Sequence, residues 1–234
     1  MIDSHCHLLP CLDDGPETLG DAIALAVDMR DQGIRHAICT PHFSRLYPTD
    51  HTAAQEALEM LEEELAARGI ALELTLAAEV SELNAVELGR AALQERAIGG
   101  RFLVVELGQR STAKTAEATI GRLRDAGFVP IVAHPERLPL FQTNPATARA
   151  LRDRGALLQV VAPSITGRWG VPAERTAWSM LADRVVDLVG SDCHGALRRR
   201  CWMAEAAARV RRQLGDHAWR AVAVEGPAQL VGES

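Results

Sequence analysis

Five of the eight histidines in this 234-residue chain, His5, His7, His42, His134 and His194, fall at or just beyond the ends of short apolar runs, and carboxylates cluster beside them. Asp3 precedes His5, Asp13 and Asp14 follow in the next loop, Glu79 and Glu106 each end an apolar run, and Asp192 stands two residues before His194. Imidazole nitrogen and carboxylate oxygen without thiolate form a mixed shell suited to Mn, Fe, Zn or Co, and less to Mg. Several ligands of each type imply more than one ion. Carboxylates bridge cations, and paired cations clamp the attacking and leaving oxygens of an in-line displacement at phosphorus. Phosphoester hydrolysis is the chemistry these residue types suggest. In the D-S-H-C-H opening, the period-two alternation of an extended segment puts His5 and His7 on one face.

Two other chemistries compete for the same residues. An H-x-H at the end of a first strand also suits amidohydrolases, many of which bridge their metals with a carbamylated lysine. The single lysine, Lys114, is expected at the start of a helix rather than at a strand end. Cys193 and Arg199 satisfy the C-x5-R spacing of thiol-based tyrosine phosphatases, but the intervening His-Gly-Ala-Leu-Arg has one glycine, poorly suited to a cradle of main-chain amides around phosphate. The spacing reads as accidental. His36, His51 and His217 have no second ligand nearby and default to structural or surface roles, and Glu62 to Glu64 read as a solvated helix face. Asp13 reads as a cap or turn residue, outside the ligand set.

The elements that must position these groups alternate. Helical stretches end in glycine at Gly33, Gly69, Gly127 and Gly155, and an apolar, β-forming run follows each. Strands are expected at 2–5, 35–39, 72–78, 102–106, 129–132, 156–161 and 186–190. A first helix carries Leu19, Ile23, Ala26 and Val27 on one face, and a second, after Asp50, carries Leu58, Leu61 and Leu65. Strand and helix in alternation imply an α/β fold with a parallel sheet, closed into a distorted seven-stranded (β/α) TIM-like barrel whose C-terminal rim gathers the histidines. One domain over 1–234 is expected, with 47% hydrophobic residues enough for one core. Net charge −6 offers no basic field for nucleic acid. Five cysteines without a C-x-x-C pair read as reduced thiols, and the absence of a long apolar run or leader points to a cytoplasmic chain that is not membrane-inserted.

Assembled, these residues resemble the PHP (polymerase and histidinol phosphatase) superfamily, and within it the capsule- and exopolysaccharide-associated manganese-dependent tyrosine phosphatases of the CpsB/YwqE type. The resemblance rests on D-S-H-C-H-L-L-P at 3–10, D-D-G at 13–15, T-P-H-F at 40–43, Glu79 in A-A-E-V, Glu106 in V-V-E-L, H-P-E-R at 134–137, L-Q-V-V-A-P-S-I-T-G at 158–167 and S-D-C-H at 191–194. It implies three divalent ions, manganese foremost with iron or zinc as substitutes. His5, His7, Glu79 and Asp192 would surround one ion. Glu79 would bridge to a second held by Glu106 and His134, and Asp14, His42 and His194 would hold the third. Arg137 and Arg199 would bind phosphate, a role suited to planar guanidinium.

The chain departs from that pattern at Arg198-Arg199-Arg200-Cys201, where relatives commonly follow an arginine with prolines, and at Val161 and Pro163, where they often carry small polar residues. Which of the three arginines faces the phosphate stays open. The expected reaction is attack on phosphotyrosine by a metal-activated hydroxide, with Asp192 or a bound water assisting the leaving group. The implied partner is the tyrosine-rich tail of a membrane-associated bacterial kinase. Histidinol-phosphate phosphatase is the alternative within the superfamily, and a metal-retaining regulatory module the alternative of a different class.

Overall fold

The computed structural model describes residues 1–232, so Glu233 and Ser234, part of the expected 1–234 unit, lie outside the described residues. In chain order the elements are β1 (Ile2–Cys6), α1 (Leu19–Asp31), β2 (His36–Cys39), β3 (His42–Phe43), α2 (His51–Ala67), β4 (Glu73–Leu76), β5 (Glu79–Ser81), α3 (Glu82–Glu87), α4 (Arg90–Gln94), β6 (Phe102–Glu106), α5 (Ala113–Asp125) and β7 (Val129–Ala133). They continue with α6 (Pro139–Thr143), α7 (Ala146–Asp153), β8 (Leu157–Val161), α8 (Ala162–Ile165), α9 (Val171–Ala182), β9 (Leu188–Gly190), α10 (Met203–Leu214), α11 (Asp216–Arg220) and α12 (Gly226–Val231). Thr18 and Asp50 cap α1 and α2 by accepting from first-turn amides.

Every strand pair is parallel, in two sheets ordered β1-β2-β4 and β3-β5-β6-β7-β8-β9. The run expected as one strand over 72–78 is interrupted at Ala77-Ala78 and resumes as β5, and Thr40-Pro41 interrupts β2 from β3. Pro41 has no N–H to give a ladder. The chain path still continues across both breaks, because the amides of Ala77 and Glu79 donate to the carbonyls of Cys39 (2.9 Å) and Pro41 (3.0 Å). The staves are therefore the seven expected, two of them broken at the height of the site.

The curled sheets meet along β1 and β9. Asp192 N donates to His5 O and His7 N to Cys193 O, both at 2.9 Å, and Ser4 Oγ donates to Val189 O. Gly190 permits the approach: a Cβ there would stand 2.5 Å from His5 Cβ. Inside the curl, Ile2, Ile38, Ala77, Val104, Ile131, Ala133 and Leu188 pack together, plugged by Ile98 and Leu230, while the alternate strand residues pack against the helices. On α1 the fully buried residues are Ala22, Leu25, Ala26 and Met29, whereas Leu19, Ile23 and Val27 are half-buried flanks. The buried stripe is thus rotated from the expected one, with which it shares Ala26. On α2, Leu58, Leu61 and Leu65 are buried as expected. Among the described residues no helix is long and apolar enough to cross a membrane.

Candidate metal centre

The first two histidines owe their aim to an irregularity in β1. Ile2 points into the interior cluster, so an unbroken period of two would send Cys6 inward and His5 and His7 outward. The β1/β2 register shifts between Asp3 and Cys6, and beyond that shift Cys6 packs in the outer core while His5 and His7 turn inward. Such bulges re-aim side chains beside active sites. His5 Nε2 and His7 Nε2 end 3.3 Å apart. The other nitrogen of each ring is held: His5 Nδ1 lies 2.8 Å from Gln159 Oε1 and His7 Nδ1 2.6 Å from Asp13 Oδ2. His194 Nδ1 likewise sits 3.0 Å from Asp192 O. With Nδ1–H donated to a carbonyl or carboxylate, the Nε2 lone pair is free to face the centre, the arrangement that orients metal-binding imidazoles.

Glu79 is the hub. Its Oε1 lies 2.7 Å from His134 Nε2, and its Oε2 lies 2.9 Å from His42 Nδ1, 3.5 Å from His7 Nε2 and 3.6 Å from His5 Nε2. Glu79 Oε2 makes no aligned hydrogen bond despite these neighbours, and His194 Nε2, 3.1 Å from Asp14 Oδ1, makes none either. Donor atoms at these separations match the edges of a coordination shell with bonds of about 2.1 Å. Four groups of ligand atoms converge: His7, Asp14, His42 and His194; His5, Glu79 and His134; His5, His7 and Asp192; and His42, Glu79 and Glu106. The donor set thus fits divalent ions of the N/O class. Glu106 and His134, expected beside one another on one ion, fall in different groups. The β5/β6 register explains it, since Glu106 pairs with Ser81, two residues farther along than Glu79, and enters from the outer rim.

Protons show the same demand for cations. Burial alone would raise the Glu79 carboxyl, but His5 and His134 outweigh it and hold it well below the usual carboxylate range. Burial would lower His7, yet the carboxylates of Asp13 and Glu79 raise it to about 10, while burial and the neighbouring His7 push His194 down to about 4. Asp192 too is held low, because His134, His5 and Arg199 overcome its burial. His134 and Asp192 both have left-handed backbones (φ 32° and 51°), a strain that persists where surrounding contacts fix the chain at a functional position.

The mouth of the cluster is arginine-lined. Arg137 Nη1 donates to Asp192 Oδ2 (2.9 Å), and Arg199 donates from Nη2 to Asp192 Oδ1 (3.2 Å) and from Nη1 to Asp14 Oδ2 (2.8 Å). Of the arginine triplet, then, Arg199 faces the centre. Arg198 is exposed, and Arg200 turns away to Asp28 and the Trp202 ring. Cys193 does not share this site: it is fully buried in the outer core, and burial pushes its thiol well above the usual range, so the C-x5-R spacing has no geometric counterpart. Lys114 lies in the first turn of α5, away from any strand end. His36, assigned no ligand role, lies 2.7 Å from Thr75 Oγ1 at the far end of β2.

Sequence reasoning missed the supports. Asp13 forms the expected turn by accepting from Gly15 N, but its Oδ2 also takes His7 Nδ1 and the His42 amide. Gln159, holding His5, was visible as an amide inside an apolar strand, where a buried polar group needs a partner. Trp169, against which Arg137 stacks at 4.2 Å, carried no signal.

Known proteins similar to this chain share its fold. The chain is 29% identical to the tyrosine-protein phosphatase YwqE of Bacillus subtilis, over 92% of its own length and 86% of the relative's. It is 24% identical to the tyrosine-protein phosphatase CpsB of Streptococcus pneumoniae, over 99% and 98%. A chain from the crystal structures of these two, described as unique metal-dependent tyrosine phosphatases, superposes with a TM-score of 0.90 at 25% identity, covering 100% of this chain and 95% of that one. An organophosphorus hydrolase mutant from Deinococcus radiodurans shares the fold alone, with a TM-score of 0.60 at 14% identity over 99% and 92%. The family model described as capsular polysaccharide synthesis, CpsB/CapC, matches residues 1–232, and the chain belongs to that family.

Proposed function

We propose that this chain is a metal-dependent protein-tyrosine phosphatase. The observation that carries the reading is the meeting of an imidazole–carboxylate cluster with two arginines, Arg137 and Arg199, that converge on Asp192 at its mouth. Relatives named tyrosine phosphatases support it. In this reading three divalent ions, manganese foremost, are held by His5, His7, Asp14, His42, Glu79, Glu106, His134, Asp192 and His194. Glu79 would serve two of them, since its two oxygens face different imidazoles. Ions bound there supply Lewis acidity for the phosphoryl group and activation of the attacking water.

The chain's own groups do the rest. Arg137 and Arg199 exchange the Asp192 carboxylate for two phosphoryl oxygens, a geometry that planar guanidinium matches. Their charge offsets what develops on the transferring group. Gln159 and Asp13 keep His5 and His7 in one tautomer through the reaction. Departure of the tyrosine phenolate, with a pKa of about 10, demands less protonation than departure of an alkoxide. In this reading that departure needs no proton from Asp192, which its cationic neighbours hold ionised. The substrate we infer is a phosphotyrosine protein, the tyrosine-rich tail of a membrane-associated kinase in capsule or exopolysaccharide control. A cytoplasmic location suits the five free cysteines.

The test is turnover of phosphotyrosine peptide, phosphoserine peptide and histidinol phosphate by chelator-stripped protein, before and after Mn²⁺. Manganese-restored activity favouring phosphotyrosine is expected. A preference for histidinol phosphate would move the substrate, and no turnover with metal bound would leave a noncatalytic module.

A further inference from the structure

Resting on that reading of the site, we infer that Trp169 is a positioning residue that holds both phosphate-binding arginines by the face of its indole. The Arg137 guanidinium carbon lies 4.2 Å from the Trp169 ring centroid and that of Arg199 lies 5.7 Å from it. These arginines come from different loops, after β7 and β9, and the indole comes from a third, after β8. Three rim segments therefore meet at one aromatic ring that is 37% exposed beside the mouth.

The physical need is particular. Two guanidiniums side by side repel, and what joins them now is Asp192, which accepts from both. Asp192 belongs to the ligand set, and its carboxylate competes with phosphate for the same N–H donors. An anchor that keeps the arginines aimed while leaving their charge and their donors free for an anion must be attractive but uncharged. The negative face of an indole is such an anchor, and tryptophan is the strongest of the aromatic residues in that role.

The loop that carries Trp169 is itself fixed. Arg168 N donates to Pro163 O at 2.8 Å, and the Arg168 side chain lies 3.4 Å over the Trp202 ring and donates to Glu205 on α10. Gly167 and Gly170 flank it with left-handed backbones (φ 80° and 84°), and a Cβ on Gly167 would come within 2.9 Å of Glu174 Oε2 on α9. The loop is thus braced from α8 and α10 through Arg168. A hydrophobic residue half-exposed on such a turn contributes little to the core, and the ring contacts found for it are with Arg137 and Arg199.

The experiment is calorimetric binding of inorganic phosphate to the Mn²⁺-loaded protein, with metal content and melting temperature recorded for each variant. Trp169→Ala is expected to weaken phosphate on the order of tenfold, and Trp169→Phe to recover most of that. In an Arg137→Ala background, Trp169→Ala should cost only about twofold, since the closer of its two partners is gone. Undiminished loss in that background, or no recovery with phenylalanine, would overturn the role, as would unchanged phosphate affinity in Trp169→Ala. Because the readout is phosphate binding, a wild-type protein that binds phosphate and shows the expected cycle but spares phosphotyrosine would defeat the substrate reading and leave this one standing. Wild-type protein that binds no phosphate would sink both.

Discussion

Asp13 is the residue whose replacement tests most directly whether the cluster is a tuned metal centre or a chance gathering of polar groups. Its side chain is 1% exposed, and three donors converge on it: His7 Nδ1 at 2.6 Å, His42 N at 2.8 Å and Gly15 N at 2.9 Å. Asp13→Asn keeps the volume, so no cavity term enters, but it replaces one acceptor oxygen by an NH₂ group. Whichever way the amide turns, a donor meets a donor. With the oxygen toward His7 and His42, Gly15 N loses its partner; with the oxygen toward Gly15, His7 Nδ1–H and the His42 amide both do. The carboxylate's charge, which makes His7 a better base, is lost in either case.

Supporting groups of this kind are worth about 10- to 100-fold in metal affinity, or roughly 1.4–2.8 kcal/mol. The assay is titration of chelator-stripped Asp13→Asn with Mn²⁺ by calorimetry, alongside activity at rising Mn²⁺. A weaker Kd with activity substantially recovered at saturating metal is expected, because Asp13 touches no substrate. Manganese affinity equal to wild type in a protein of unchanged circular dichroism would refute the argument that His7 is tuned through its second nitrogen.

The arginine triplet makes a sharper discrimination: Arg199→Ala should lower kcat/KM for phosphotyrosine peptide on the order of a hundredfold, whereas Arg198→Ala, at an exposed position, should stay within about twofold. Equal losses in the two would contradict the geometry. Cys193→Ser should keep turnover and metal content while lowering the melting temperature, since the thiol is buried in apolar surroundings; lost turnover with full metal loading would restore a thiol mechanism. Burial raises the Asp3 carboxyl to about 6 against its hydrogen bonds from Ser191, so the folded state binds this proton more tightly than the unfolded state. Its effect on stability is therefore neutral below about pH 4 and turns increasingly unfavourable as pH rises to about 6, reaching on the order of 3 kcal/mol. Asp3→Asn should raise the melting temperature of chelated protein at pH 7.5 and not at pH 4, and a gain independent of pH would rule this out.

What the sequence made legible followed its periodicities, and what it hid arose where the chain departs from them. Alternation placed His5 and His7 on one face, and it was right about their relation to each other. It could not show that the face changes between Ile2 and His5, because the register shift in β1 is set by β2 and by the seam with β9. Glu79 was expected to close a strand; it opens one, beyond a break that no local preference at Ala77-Ala78 announces. That break matters to the site, for it is where the staves leave regular pairing that Glu79 and His42 turn toward one another.

Asp13 shows a different limit. Its turn role was read correctly and is real, since Oδ1 accepts from Gly15 N, but a carboxylate has two oxygens. The second serves His7, and proximity to a histidine six residues back is the same in sequence whether or not the loop folds over. The arginines complete the case. Arg198, Arg199 and Arg200 are equivalent in type and adjacent in position, and the choice among them is made by a left-handed φ of 49° at Arg199 with its carbonyl bonded to His194 N. A backbone conformation that only the assembled rim can stabilise decides which guanidinium reaches Asp192, so the chemistry of the set could be read from composition while its geometry had to come from the fold.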